Sequence, residues 1–102
     1  MKIIQKLNDK IAEEIADARC YAKMALEYKD ERKGLADTLY LLSTEEMRHM
    51  NLLHNEVVKI IEEHRRTKGE PPANMLAVYE YLHGKHIEAA TEVKLLHSMY
   101  KE

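Results

Sequence analysis

The chain has 102 residues, 45% of them hydrophobic, which is enough for a core and too many for a disordered segment. Its 16 basic and 18 acidic side chains are interspersed and leave a formal charge of −2, so no basic field exists to hold nucleic acid. Phe and Trp are absent, Gly numbers three and Pro two, and strong helix formers dominate, so a single all-α domain over 1–102 is expected.

The first helix is predicted over 2–28. Its apolar stripe reads Ile3, Leu7, Ile11, Ala18, Tyr21, Ala22 and Ala25. Glu14 falls inside this set, whereas Glu13 points away. The order Ile11, Glu14, Ala18, Tyr21, Ala25 keeps the alternating three-and-four spacing of a bundle seam. Charge interrupts the opening residues too early for a signal peptide. Cys20 is the single cysteine, which rules out an intrachain disulfide. It reads as a buried, inert thiol in a reducing compartment. No apolar run approaches the roughly eighteen residues of a membrane span. A cytoplasmic protein without a membrane partner is therefore expected.

A turn near 30–34, marked by Gly34, leads to a second helix predicted over 35–66. Its stripe is Leu35, Leu39, Leu42, Leu53, Val57 and Ile60. Glu46-Met47-Arg48-His49 interrupts that stripe. At about 100° per residue, Glu46 lies within about 20° of the stripe's centre and His49 within about 40°. A core-facing carboxylate and imidazole need partners, because burying an unpaired charge costs several kcal/mol. Residues three apart stand one above the other on a helix, so both can reach one metal ion. Folding the chain back near 30–34 places Glu14 opposite 46–49. The two polar interruptions then share one height on one seam. His54 and His64 lie off the stripe and are expected at the surface.

Residues 67–72, with Gly69, Pro71 and Pro72, break the helical pattern. A third segment, 73–102, is predicted helical to about residue 100. Its stripe is Met75, Val78, Tyr79, Leu82, Ala89, Val93, Leu96 and Tyr100. Glu80-Tyr81-Leu82-His83 repeats the Glu-x-x-His spacing, but Glu80 falls more than about 100° from the stripe and reads as surface. His86 lies on the stripe and is expected as a hydrogen-bonded core or interface histidine. His83 and His97 flank it. The six Met residues read as gap-filling core, not a copper site.

Glu14 with Tyr21 seven residues later, followed some thirty residues downstream by Glu46-x-x-His49, resembles the ferritin-like superfamily, including rubrerythrins, bacterioferritins and encapsulated ferritins. The likeness covers roughly the first sixty-five residues. A full ferritin-like domain has four helices and repeats its ligand set on a second hairpin. This chain carries one such hairpin, over 1–66. The resemblance therefore implies a half-length chain that completes a four-helix bundle by dimerisation, with the third helix added. It implies a dinuclear metal centre at the dimer interface, with Glu46 bridging and Glu14 and His49 as terminal ligands. Tyr21 could reach a ligand carboxylate, and Asp17 could orient His49 through its second ring nitrogen. The chain's C-terminal Ser98-Met99-Tyr100-Lys101-Glu102 does not match the shell-addressing tail of encapsulated relatives. The chain also resembles small proteins of Gram-positive gut bacteria and their prophages, which implies no mechanism.

Two copies would bring four Glu and two His, whose four negative charges balance two divalent cations. Mixed oxygen and nitrogen ligation suits iron, and also manganese or zinc. The expected function is thus metal binding, with iron first and ferroxidase activity as the candidate reaction. The partner is a second copy, in a homodimer or higher homo-oligomer. The alternatives are a non-enzymatic helical interaction protein, whose polar residues set register, and a purely structural metal staple.

Overall fold

The structure is a computed structural model and describes residues 2–102; Met1, the first residue of the expected domain and hairpin, lies outside them. Three helices account for almost all of it: α1 Lys2–Tyr28, α2 Lys33–Lys68 and α3 Ala73–Lys101. The predicted elements are therefore present, with α2 longer than expected at both ends and the second connection reduced to 69–72. No strand occurs among the described residues. No helix among them is long and apolar enough to cross a membrane.

Helices α1 and α2 form an antiparallel hairpin. The buried seam of α1 runs Ile4, Asn8, Ile11, Ile15, Ala18, Ala22 and Ala25. This spacing of four and three is that of a coiled-coil seam. It is shifted from the predicted stripe: Ile3 is exposed, and Ile4 and Ile15 take its place. On α2 the buried residues are Ala36, Leu39, Ser43, Met47, Val57 and Ile61. Leu35 is exposed, and Leu42, Leu53 and Ile60 are only half-buried. Alanines and a serine dominate the half of the seam nearest the turn, and such small side chains let the two backbones come close. The larger Ile4, Ile11, Ile15, Val57 and Ile61 fill the other half.

Gly34 does not mark the turn. It lies in the first turn of α2, where its carbonyl accepts the Thr38 hydroxyl. The chain reverses over 29–32, closed by the Arg32 amide donating to the Tyr28 carbonyl at 2.9 Å. Gly69 does end α2, with φ of 86°, a left-handed value that favours glycine. The Pro72 carbonyl then accepts the amides of Met75 and Leu76 to start α3.

Helix α3 runs back along one face of the hairpin, parallel to α1 and nearer to it than to α2. Its C-terminal half is anchored. Arg19 donates to Glu92 at 2.8 Å, and Lys29 donates to the carbonyl of Glu102 at 2.9 Å, a cation at a helix C-terminus. Tyr100 stacks on Tyr40 with ring centres 4.9 Å apart, and its hydroxyl donates to Asp37. That bond, then the Lys33 ammonium, holds the Asp37 carboxyl below its ordinary range. Its predicted stripe is corrected at Val78, which is exposed; the buried residues are Ala90, Val93 and Tyr100. Cys20, expected as a buried thiol, is exposed. The whole is a rod of 56 × 19 × 18 Å.

Candidate metal centre

Glu14 rises from the middle of α1, and Glu46 and His49 from the facing stretch of α2. The structure brings all three together, with one ligand atom from each within 4.8 Å of the others. His49 Nδ1 lies 3.4 Å from Glu14 Oε2 and 3.8 Å from Glu46 Oε2. Ligand bonds of roughly 2.0–2.2 Å permit separations of this size around one cation. Two carboxylate oxygens and one imidazole nitrogen form a donor set for iron, manganese or zinc. Three protein donors leave coordination positions open.

The residues do not sit where a deep core site would. Relative to the buried seam, Glu14 is turned by about 70°, Glu46 by about 60° and His49 by about 120°, all toward the same face of the hairpin. The Glu14 and Glu46 side chains are 20% exposed and that of His49 is 46% exposed. Helix α3 covers the opposite face, through Asn8, Arg19, Ser43 and His54. The open face carries an apolar margin on either side of the site. Leu7 and Leu53 are half-buried there, with Ile3 exposed near one end and Leu35 near the other.

Tyr21 is half-buried beside the smaller core cluster of Ala25, Ala36, Leu39 and Tyr100. Asp17 is exposed, and no hydrogen bond or ion pair joins it to His49 among the described residues. Of the second Glu-x-x-His, Glu80 is exposed as expected, and His83, expected beside the stripe, is half-buried. There it stacks on His54 with ring centres 4.6 Å apart and planes 9° apart. His86 lies beside them, half-buried. Burial first, then neighbouring imidazole charge, lowers His54 and His86 below the ordinary 6.5.

The residue that sequence reasoning missed most plainly is Ser43. It is fully buried and donates to the Ala18 carbonyl at 2.6 Å, with His97 Nε2 2.7 Å away on α3. The signal was its place in the row Ala36, Leu39, Ser43, Met47. The same row, centred correctly, puts His54 within about 25° of the seam.

Comparison with protein-family models, with curated proteins and with solved structures finds no match to this chain.

Proposed function

We propose that this chain binds divalent metal through Glu14, Glu46 and His49, and that a second copy docks on the open face of the hairpin to complete a four-helix bundle around a dinuclear centre. The observation that carries this reading is the convergence of the three ligand atoms at the midpoint of the hairpin. Helix α1 spans residues 2–28, so its middle is residue 15, next to Glu14. A two-fold axis normal to the open face, through that midpoint, sets one Glu-Glu-His group opposite another. The half-buried and exposed leucines around the site would then be covered. Both copies would fill coordination positions that one copy leaves open, and four carboxylates would neutralise two dications.

The two carboxylates hold the charge of the cations, and the imidazole supplies the nitrogen donor that tilts preference away from magnesium and calcium. A di-iron pair bound here would supply ferroxidase chemistry, the oxidation of Fe(II) by oxygen or peroxide. In this reading the chain is a ferritin-like half-bundle that handles iron in the cytoplasm, where the exposed Cys20 thiol stays reduced. A purely structural metal would use the same ligands but would give no oxidation.

The test is anaerobic loading with Fe(II), Mn(II) or Zn(II), metal analysis after desalting, and then exposure of the iron form to oxygen. One bound metal per chain and growth of near-ultraviolet ferric absorbance support the reading. Metal bound without oxidation would leave the structural staple. No metal bound would leave a helical interaction module.

A further inference from the structure

On the face away from Glu14, α2 and α3 enclose a cavity of about 160 Å³. Its polar lining is Asn51, His54, His83, His86, Thr91 and Lys94; its apolar floor includes Ile11 and Met50. Five of those six polar side chains can donate a hydrogen bond into the cavity, the Thr91 hydroxyl being committed to the Ile87 carbonyl, and none is a carboxylate. Helix α1 presents only Ile11 to the cavity, so no acid comes from that side either. The nearest acids of α3 along the chain are engaged elsewhere: Glu88 pairs with Lys85 and Glu92 with Arg19. The charges that act on His54 and His86 from their surroundings are those of other imidazoles. A pocket lined by hydrogen-bond donors and one fixed cation, with no carboxylate in its lining, leaves a place for an acceptor of negative charge.

We propose that this cavity binds a small oxyanion, a carboxylate or phosphate group held by the imidazoles and the Lys94 ammonium. A transition metal on the three imidazoles is the competing use. Two observations weigh against it. His54 and His83 present their faces to each other, so their nitrogen lone pairs do not converge on one point. The Lys94 ammonium at the rim repels a dication and attracts an anion. Burial, then neighbouring imidazole charge, disfavours the charged form of His54 and His86 in the empty cavity, so the anion is expected to enter with protons: its charge favours imidazolium, and imidazolium favours the anion. The lining is mixed in chemistry. Ile11 and Met50 suit a short aliphatic stem, and the donors suit the head, so a short aliphatic carboxylate should bind more tightly than inorganic phosphate.

The experiment follows imidazole proton resonances of the full-length protein during titration with butyrate, acetate or inorganic phosphate at pH 6.0 and 7.5. Butyrate is expected to shift His54, His83 and His86 but not His49 or His64, and to bind more tightly than acetate or phosphate. Its affinity should rise about threefold or more from pH 7.5 to 6.0, because protons are taken up on binding. Lys94→Gln, at an exposed position, and His86→Gln should each weaken binding by about tenfold, the loss of one charge-assisted hydrogen bond. Phosphate binding more tightly than butyrate would keep the oxyanion site and assign its natural ligand to a phosphate group. No shift of these three imidazoles with any of the anions overturns the proposal. So does binding unaltered by both substitutions, or preferential uptake of Zn²⁺ by these imidazoles. None of these outcomes bears on the carboxylate centre, whose ligands are on the other face.

Discussion

Glu14, Glu46 and His49 differ from the other acidic and imidazole groups of the chain in where they meet, not in kind. Substituting any of them by Ala removes one of three donors, and loss should exceed the 10- to 100-fold that follows loss of a supporting hydrogen bond. Metal analysis after loading is expected to show Glu14→Ala, Glu46→Ala and His49→Ala nearly empty and Glu80→Ala and His83→Ala full. Retention of metal by Glu14→Ala with loss in a helix α3 variant would reject the hairpin centre. Ser43 tests a different link, between local bonding and packing. Its hydroxyl bridges the α1 backbone and His97 of α3. Ser43→Ala should destabilise by about 1–2 kcal/mol, lowering the melting point by about 4–8 °C per kcal/mol for a domain of this size. An unchanged melting point would mean that the bridge contributes nothing net.

At the scale of elements, α3 is the least securely held helix. Its N-terminal half has no fully buried residue: Met75, Leu76, Tyr79 and Leu82 are half-buried, and Tyr79, His83 and His54 form a stack. His54, His86 and His97 are each lowered from 6.5, chiefly by burial. A histidine lowered in the folded state stabilises fully above its unfolded value and loses that contribution as pH falls through the folded value. Metal-free protein should therefore lose stability from about pH 7 downward, α3 first. Thermal melts at pH 7.5 and 5.5 check this, with His54→Gln/His86→Gln as the control whose melting point varies less with pH. A control that loses as much as the natural chain would remove these imidazoles as the cause.

For the whole molecule, the proposal that a second copy docks on the hairpin rests on shape and pattern. A 56 × 19 × 18 Å rod leaves an apolar-edged face uncovered. Sedimentation at micromolar concentration is expected to give a homodimer, and Leu42→Lys, on the open face, a folded monomer that also binds metal weakly. A folded natural monomer would rule out a shared centre. In the proposed dimer, closure would also link metal to pH. Four carboxylates near one axis would repel when metal-free, whereas metal would require them ionised and His49 neutral. Loaded protein should melt well above chelated protein at pH 7.5, by mass action worth about 4 kcal/mol at a thousandfold excess over the dissociation constant. The gap should narrow at pH 5.5. Equal melting points with and without chelator at both values would sink the buried centre.

The sequence by itself determined the three helices, the hairpin and the meeting of Glu14 with Glu46 and His49. Each follows from local propensity and from spacing along a helix, which need no knowledge of neighbours. Pairing across the hairpin follows too, because a short turn leaves the second helix few registers. The orientation of the helices was decided only in three dimensions. Apolar residues ring much of α3, and on α1 Ile3 and Ile4 stand next to each other, so neighbouring stripes compete. Ala18, Ala22 and Ala25 belong to both stripes, and the packing buries Ile4 and Ile15 beside them and leaves Ile3 exposed. That rotation moved the candidate ligands from the core to the open face, and brought His54, expected at the surface, into contact with His83 of α3. Contacts such as Ser43 with His97, or His54 with His83, join positions far apart in the chain. Only the packing of α3 on the hairpin determines which side chains those are.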